Sequence, residues 1–359
     1  MNDIYDVRCV RDIYRIIKRH YDFVPGDFTI AEAPLSIFHH VRKDLQASSK
    51  GYLNFEFAYK YADSCSHCYH ITYKGSEINM YVLMDKKMSA KIKKRFFMNL
   101  YRVYLVSKIY NITKDDNRRL FNFYIIMNPL KRCMPTKKDA ILDVVNINGG
   151  YTYVNDNNIY IIREEDYNKV IIHELLHHST RMHHQDWDTS NISRLKAHFK
   201  ICQDMLLLPN EAIIETYACV LNTVFYSIET RKTRKTGEGG SQLSQLSQLS
   251  QLSQLSQLNE NLKRDQEHSL LLAKKIIDKQ GGGIWTEKTH SYCYIVFKTI
   301  LYVYFNVFLK IYNYQNDNEI TDFLIRYSSR IFRRVARLNK QKQTLRQTNR
   351  LKQTVFRTI

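Results

Sequence analysis

"NNIYIIREEDYNKVIIHELLHH", residues 157–178, passes from a strand-like segment through a charged turn into a helix-like one, and the two halves together set the fold class. "NIYII" has the β-branched and aromatic composition of a strand. Just upstream, "NINGGYTYVND" supplies two glycines, a Tyr-Thr-Tyr alternation and a polar turn. Residues 146–166 are therefore predicted as a hairpin that delivers the chain directly into the helix. Within that helix His173 and His177 stand four apart, on one face and about 5–6 Å from each other at Cβ, a spacing that lets two imidazoles converge on one ion. At 100° per residue Glu174 lies beside that pair, where a carboxylate can take a proton from water without being a ligand itself. Ile171 and Leu175 point away from the pair, and Ile172 and Leu176 fill the remaining flank. This predicts an α+β fold: a mixed N-terminal half with a sheet over a helix that is buried except at its polar groove, then a largely helical C-terminal half.

A third ligand has three candidates. His183 lies six residues beyond His177, but Thr180 occupies the position where a long HExxHxxGxxH motif needs glycine for a sharp turn. The others sit in "PNEAIIETYACVLNTVFYSI", a second predicted helix from Pro209, where Glu211 and Glu215 are four apart. Like charges at that spacing destabilise a lone helix by a few tenths of a kcal/mol, and an otherwise apolar helix would bury them. A cation opposite removes the conflict.

"HELLH" followed by "NEAIIE" resembles the gluzincin zinc peptidases, the thermolysin-like group in which a second helix brings an NEAxxD-type segment to the HExxH helix. The resemblance covers residues 146–226, and the lead-in also resembles uncharacterised metallopeptidase-like proteins of large DNA viruses. It implies a zincin-like fold and one Zn2+ per chain held by His173, His177 and Glu211. Glu215 would hold the free ring N–H of a ligand histidine, at a position where the thermolysin pattern has Asp. It further implies hydrolysis of a polypeptide substrate with Glu174 as general base, "NGGYTY" being an edge strand that pairs with the substrate. An oxyanion partner is also needed; His290 and Tyr292 in "KTHSYCY", and Tyr217, are the candidates. His178, His183, His184 and His198 are expected to flank the cleft or face solvent.

Working outward, residues 1–145 read as an N-terminal α+β region and 146–230 as the catalytic core. Within the first, "VRDIYRIIKRHY" places Val10, Ile13, Ile16 and Ile17 on one helical face, residues 69–85 alternate about a Lys-Gly-Ser turn as a hairpin, and "FNFYIIMNP" is a buried strand. Six Ser-Gln-Leu triplets fill residues 241–258. A period of three rotates leucine by about 60° per repeat on an α-helix, so residues 231–268 are expected to form a mobile insertion that buries no core. Residues 269–328 return to the core as helices, and 329–359 form a basic tail or exposed helix.

The formal net charge is +19, and residues 330–359 carry ten Lys or Arg and no acid, a composition suited to nucleic acid, an acidic protein or an anionic surface. This supports an alternative class, a zinc-stabilised structural or nucleic-acid-binding protein. Seven scattered cysteines do not make the framework of a secreted scaffold and read as reduced thiols. "CSHCYH", with Cys65, Cys68 and His70, lacks the second ligand pair of a structural zinc site. No apolar leader follows the charged start, and Lys298, Asn306 and Lys310 interrupt the most apolar run, 292–314, so neither a signal nor a membrane span is expected. An intracellular protein follows, in host cytoplasm or virion if the viral resemblance holds.

Overall fold

The computed structural model describes residues 9–48, 55–112, 121–135, 137, 140–153, 156–179, 182, 187–235, 245–312 and 316–345. The chain is mixed α/β. Six strands, β1 (Phe28–Glu32), β2 (His67–Tyr73), β3 (Ile78–Met84), β4 (Phe121–Ile126), β5 (Gly150–Thr152) and β6 (Asn158–Ile161), form one sheet in the order β1-β2-β3-β4-β6-β5. β3, β4 and β6 run parallel, and the other pairings are antiparallel. The long helix α4 (Ala90–Ile109) lies in the β3–β4 connection, since a parallel neighbour needs a crossover. Strand β1 was not expected: "FTIAE" is short and alternates poorly, although Pro25-Gly26-Asp27 marks a turn directly before it.

Alternation sorts the strand residues. Met80, Val82, Phe123, Ile125, Ile159 and Ile161 enter the main core with α4, α6 (Tyr167–Leu176) and α8 (Pro209–Lys235). Leu83, Tyr124, Ile126 and Tyr160 enter a second core beneath α2 (His39–Ser48) and α3 (Glu56–Ser64). On that second face, ring follows ring across the sheet, from Phe55 through Tyr151, Tyr160, Tyr124 and Tyr81 to His70. Adjacent centroids are 4.6–5.7 Å apart and adjacent planes within 20°. The register sets this up, pairing His70 with Tyr81, Tyr81 with Tyr124, Tyr124 with Tyr160 and Tyr160 with Tyr151. Such pairs add about 0.5–1.5 kcal/mol each beyond area burial.

Helix α8 is the axis of the helical half. From Pro209 to Glu229 it is buried on nearly every side, and it packs on α6, on α1 (Val10–His20) and on the helices that follow. Near its far end Glu229 pairs with Arg102 of α4, both side chains about 95 % or more buried, and Tyr21 donates to the same carboxylate.

One expectation about the C-terminal half is corrected. The segment expected as a mobile insertion is helical where it is described: α8 continues to Lys235, and α9 spans Gln245–Gln280. Leu258, the last residue of the repeat, is fully buried and Leu255 is partly so. A three-residue step is also one legitimate step of an amphipathic helix. The last two triplet leucines thus fall in phase with Leu262, Ser269, Ala273 and Ile276, all buried. The basic segment takes the helical one of its two expected forms where it is described: it begins inside α12 (Asp317–Leu345), where Ile331 and Val335 are buried while Arg330, Arg333, Arg334 and Arg337 face out; residues 346–359 lie outside the described residues. Among the described residues no single helix is long and apolar enough to cross a membrane; the apolar run is split into residues 292–303 and α11 (Phe305–Ile311), bent by 88°.

Candidate metal centre

Strand β6 enters α6 through a short turn that Arg163 fixes from within. That side chain is fully buried and donates to the carbonyls of Leu130, Val145 and Asn148, so three chain segments converge behind the helix. Helix α6 then lies against the start of α8 and faces the first two turns of that helix.

Three atoms meet at this junction. His173 Nε2 and His177 Nε2 are 3.2 Å apart, and Glu211 Oε2 lies 3.3 Å from the first and 3.4 Å from the second. A tetrahedral zinc site with bonds of about 2.0–2.1 Å has ligand-to-ligand edges of about 3.4 Å, so this triangle matches one face of such a site. Glu211 Oε2 is buried without an aligned hydrogen-bond donor, an arrangement that a cation at the triangle relieves. Glu215 is turned elsewhere. Its Oε2 lies 3.0 Å from His173 Nδ1, at ion-pair distance though without the alignment of a full hydrogen bond, and its Oε1 pairs with Lys169. A carboxylate on Nδ1 holds the proton there and leaves the Nε2 lone pair facing the triangle. Of the three candidate third ligands, the structure brings Glu211 to the histidines and Glu215 behind them; His183 lies outside the described residues, as does His184.

The charges reinforce the geometry. Glu174, Glu211 and Glu215 face two imidazoles and the ammonium of Lys169, with a second ammonium, that of Lys298, also acting on Glu215, so with neutral rings the carboxylates outnumber the ammoniums and a cation at the triangle is favoured. Burial raises the Glu174 carboxyl above its usual range against the pull of His173 and His177. Burial would do the same to Glu211 and Glu215, but the histidines on the first, and Lys169 with His173 on the second, hold both below the usual range. His173, Glu174 and His177 also lie close enough together to hold an ion.

Glu174 sits beneath the sheet edge. β5 is the terminal strand, and a Cβ built on Gly150 would stand 3.1 Å from Glu174 Oε1, 2.7 Å from the Tyr160 carbonyl oxygen and 2.9 Å from Val170 Cγ1. Only glycine lets the strand approach this closely. Gly150→Ala is expected to cost about 1–3 kcal/mol, as overpacking a rigid contact does, because the carbonyl belongs to the β6 backbone and cannot rotate away. Denaturant unfolding measures it, and an unchanged midpoint would mean that the strand yields. His178 ties the same strand down, its Nε2 2.8 Å from Thr152 Oγ1.

The proposed oxyanion partners fare differently. Tyr292 packs on Phe199, Trp285 and Phe297 and reaches Gln280, while Tyr217 lies in the core against Phe305 and Tyr312. His290 is near the site: burial lowers its pKa, and Glu211 opposes that. The residue that reaches the centre is Tyr294, 5.7 Å from His173 between ring centroids and close enough to Glu211 for that carboxylate to act on its phenol. Burial, followed by Glu211 and Glu174, pushes that phenol well above its usual value, so it remains a neutral donor. Tyr294 was missed because residues 292–297 form a π-helical turn leading into α10 (Lys298–Val303), and the extra residue in the turn shifts which tyrosine of "SYCY" faces the histidines. His198 is remote and pairs with Ser328. Cys65 and Cys68 are buried in the second core with thiols pushed up to about 11, and His70 stacks on Tyr81 instead of joining them.

No protein-family model matches this chain, nor does any curated protein or solved structure.

Proposed function

We propose that the chain is a zinc-dependent peptidase of zincin-like architecture, related in its site to the gluzincins, with His173, His177 and Glu211 holding one Zn2+ and Glu174 as general base. The observation that carries this reading is the triangle of Nε2, Nε2 and Oε2 with edges of 3.2, 3.3 and 3.4 Å. Zinc held there supplies Lewis acidity, which acidifies water and polarises a carbonyl. Glu174 takes the water's proton at a carboxylate oxygen and returns it to the leaving amine. Its place beside Gly150 supports a polypeptide substrate, because a chain extended along the free edge of β5 would present its backbone to that carboxylate. Tyr294, neutral and close to His173, is the donor best placed to stabilise the developing oxyanion.

The test is zinc content by mass spectrometry on purified protein, paired with cleavage of a mixed peptide library. Zinc near one per chain with a chelator-sensitive cleavage pattern is expected. Folded protein that takes up no zinc overturns the reading. A second reading draws on the arginines along the outer face of α12, Arg326, Arg330, Arg333, Arg334 and Arg337, which suit a phosphate backbone. Zinc without hydrolysis, together with salt-dependent nucleic-acid binding lost when Arg333, Arg334 and Arg337 become Glu, would favour it.

Zinc uptake also has a proton signature. Burial alone would lower the pKa of His173, but its contacts with Glu211 and Glu215 reverse this and raise it to about 10 in the metal-free protein. A ligand imidazole must be neutral, so uptake at neutral pH is expected to release about one proton, and affinity to rise roughly tenfold per pH unit as pH approaches that value from below. Calorimetry in buffers of different ionisation enthalpy counts the proton; none released would mean that His173 is already neutral.

A further inference from the structure

Lys169 belongs to none of the roles above, yet it touches Glu215, a carboxylate outside the triangle that itself touches a ligand histidine. It lies one helical turn before His173 on α6, and its ammonium pairs with Glu215 Oε1 while Oε2 of the same group stands 3.0 Å from His173 Nδ1. The two oxygens of one side chain are thus divided between an ammonium and an imidazole. Glu215 reaches across from α8, is only 9 % exposed, and has Glu211 one turn away on its own helix. Its other interactions are weaker, with the Cys219 thiol at 3.9 Å and with the charge of Lys298, whose ammonium is itself held by Ser269. A glutamate has one more rotatable bond than an aspartate, and near a second carboxylate its favoured rotation is away from the site. The ammonium opposes both tendencies. Lys169 itself is 22 % exposed, and Glu215 is the carboxylate its ammonium meets.

Resting on the metal-centre reading, we infer that Lys169 is a positioning residue: by pinning Glu215 Oε1 it fixes Oε2 on His173 Nδ1, and so aims His173 Nε2 at the metal. The Lys–Glu pair does here what a shorter aspartate could do alone, and the longer side chain at residue 215 is tolerated because its far oxygen is held. A bridge that served only to join α6 to α8 would contribute to folding and leave metal affinity untouched.

The test is a zinc-affinity cycle by competition with a chromogenic chelator, on the parent, Lys169→Met, Glu215→Gln and the double variant. The cobalt(II) absorption spectrum and the thermal unfolding of each metal-free protein are recorded alongside. Each single substitution is expected to weaken zinc about 10–100-fold, as losing an outer-shell partner does, and to alter the cobalt spectrum. Because Lys169 acts through Glu215, the double variant should lose no more than Glu215→Gln alone. Lys169→Arg, which keeps the charge, should restore most of the affinity. Parental affinity in folded Lys169→Met, or losses that simply add, overturns the positioning role while leaving the metal centre intact. A parent that binds no zinc overturns both. Should Lys169→Met not fold, Lys169→Gln takes its place with the same expected loss and the same overturning result.

Discussion

Glu174→Gln is expected to abolish peptide hydrolysis, with kcat/KM falling by about 10²–10⁴-fold, the usual worth of a positioned general base, while zinc stays bound at the parental ratio. The amide is isosteric and keeps the contact beneath Gly150, so the fold has no reason to change, but it cannot accept the proton. The separation arises because Glu174 neighbours the triangle of donor atoms without forming one of its corners. Steady-state cleavage and metal content on the same preparation measure both halves. Retained activity would remove Glu174 from the chemistry; lost zinc would make it a ligand.

The second large effect is on the metal itself. Glu211→Ala deletes one corner of the triangle and one of the three carboxylates gathered around it. Zinc affinity is expected to fall by more than the roughly 10–100-fold typical of outer-shell partners, and the rise in unfolding temperature that zinc gives the parent should disappear, since a ligand stabilises only in proportion to its binding. Glu215 cannot substitute without abandoning Lys169 and His173 Nδ1. Chelator competition and thermal unfolding with and without zinc decide the matter. Undiminished affinity would transfer the third position to Glu215 or His183.

Much of this centre was legible in the chain because it is written in local spacing. HExxH on one helix and two carboxylates four apart on another are consequences of 3.6 residues per turn, and the structure needed only to pack α6 on α8 to bring them together. What could not be read depended on departures from that period. Tyr294 displaced Tyr292 because a π-helical turn changes the phase of a helix that the sequence offers as regular. The leucine triplets looked unable to build a stripe, yet the last two are captured by the amphipathic run that follows them. Strand β1 is held by pairing with β2 and not by its own alternation. Lys169 passed unremarked because a lysine in a helix carries no signal until its partner across the interface is known.

The stacked rings across the outer face of the sheet have an optical consequence. Coupled tyrosines locked in one chiral array dominate the near-ultraviolet circular dichroism of a protein that has only two tryptophans, and that signal vanishes when fixed packing is lost. Phe55, Tyr151, Tyr160, Tyr124, Tyr81 and His70 lie in or against the second core, across the sheet from His173, which is packed among the main core. The array is therefore a built-in gauge of folding set apart from the metal: a variant that loses zinc while the tyrosine band persists has lost a ligand, and one that loses both has lost its structure.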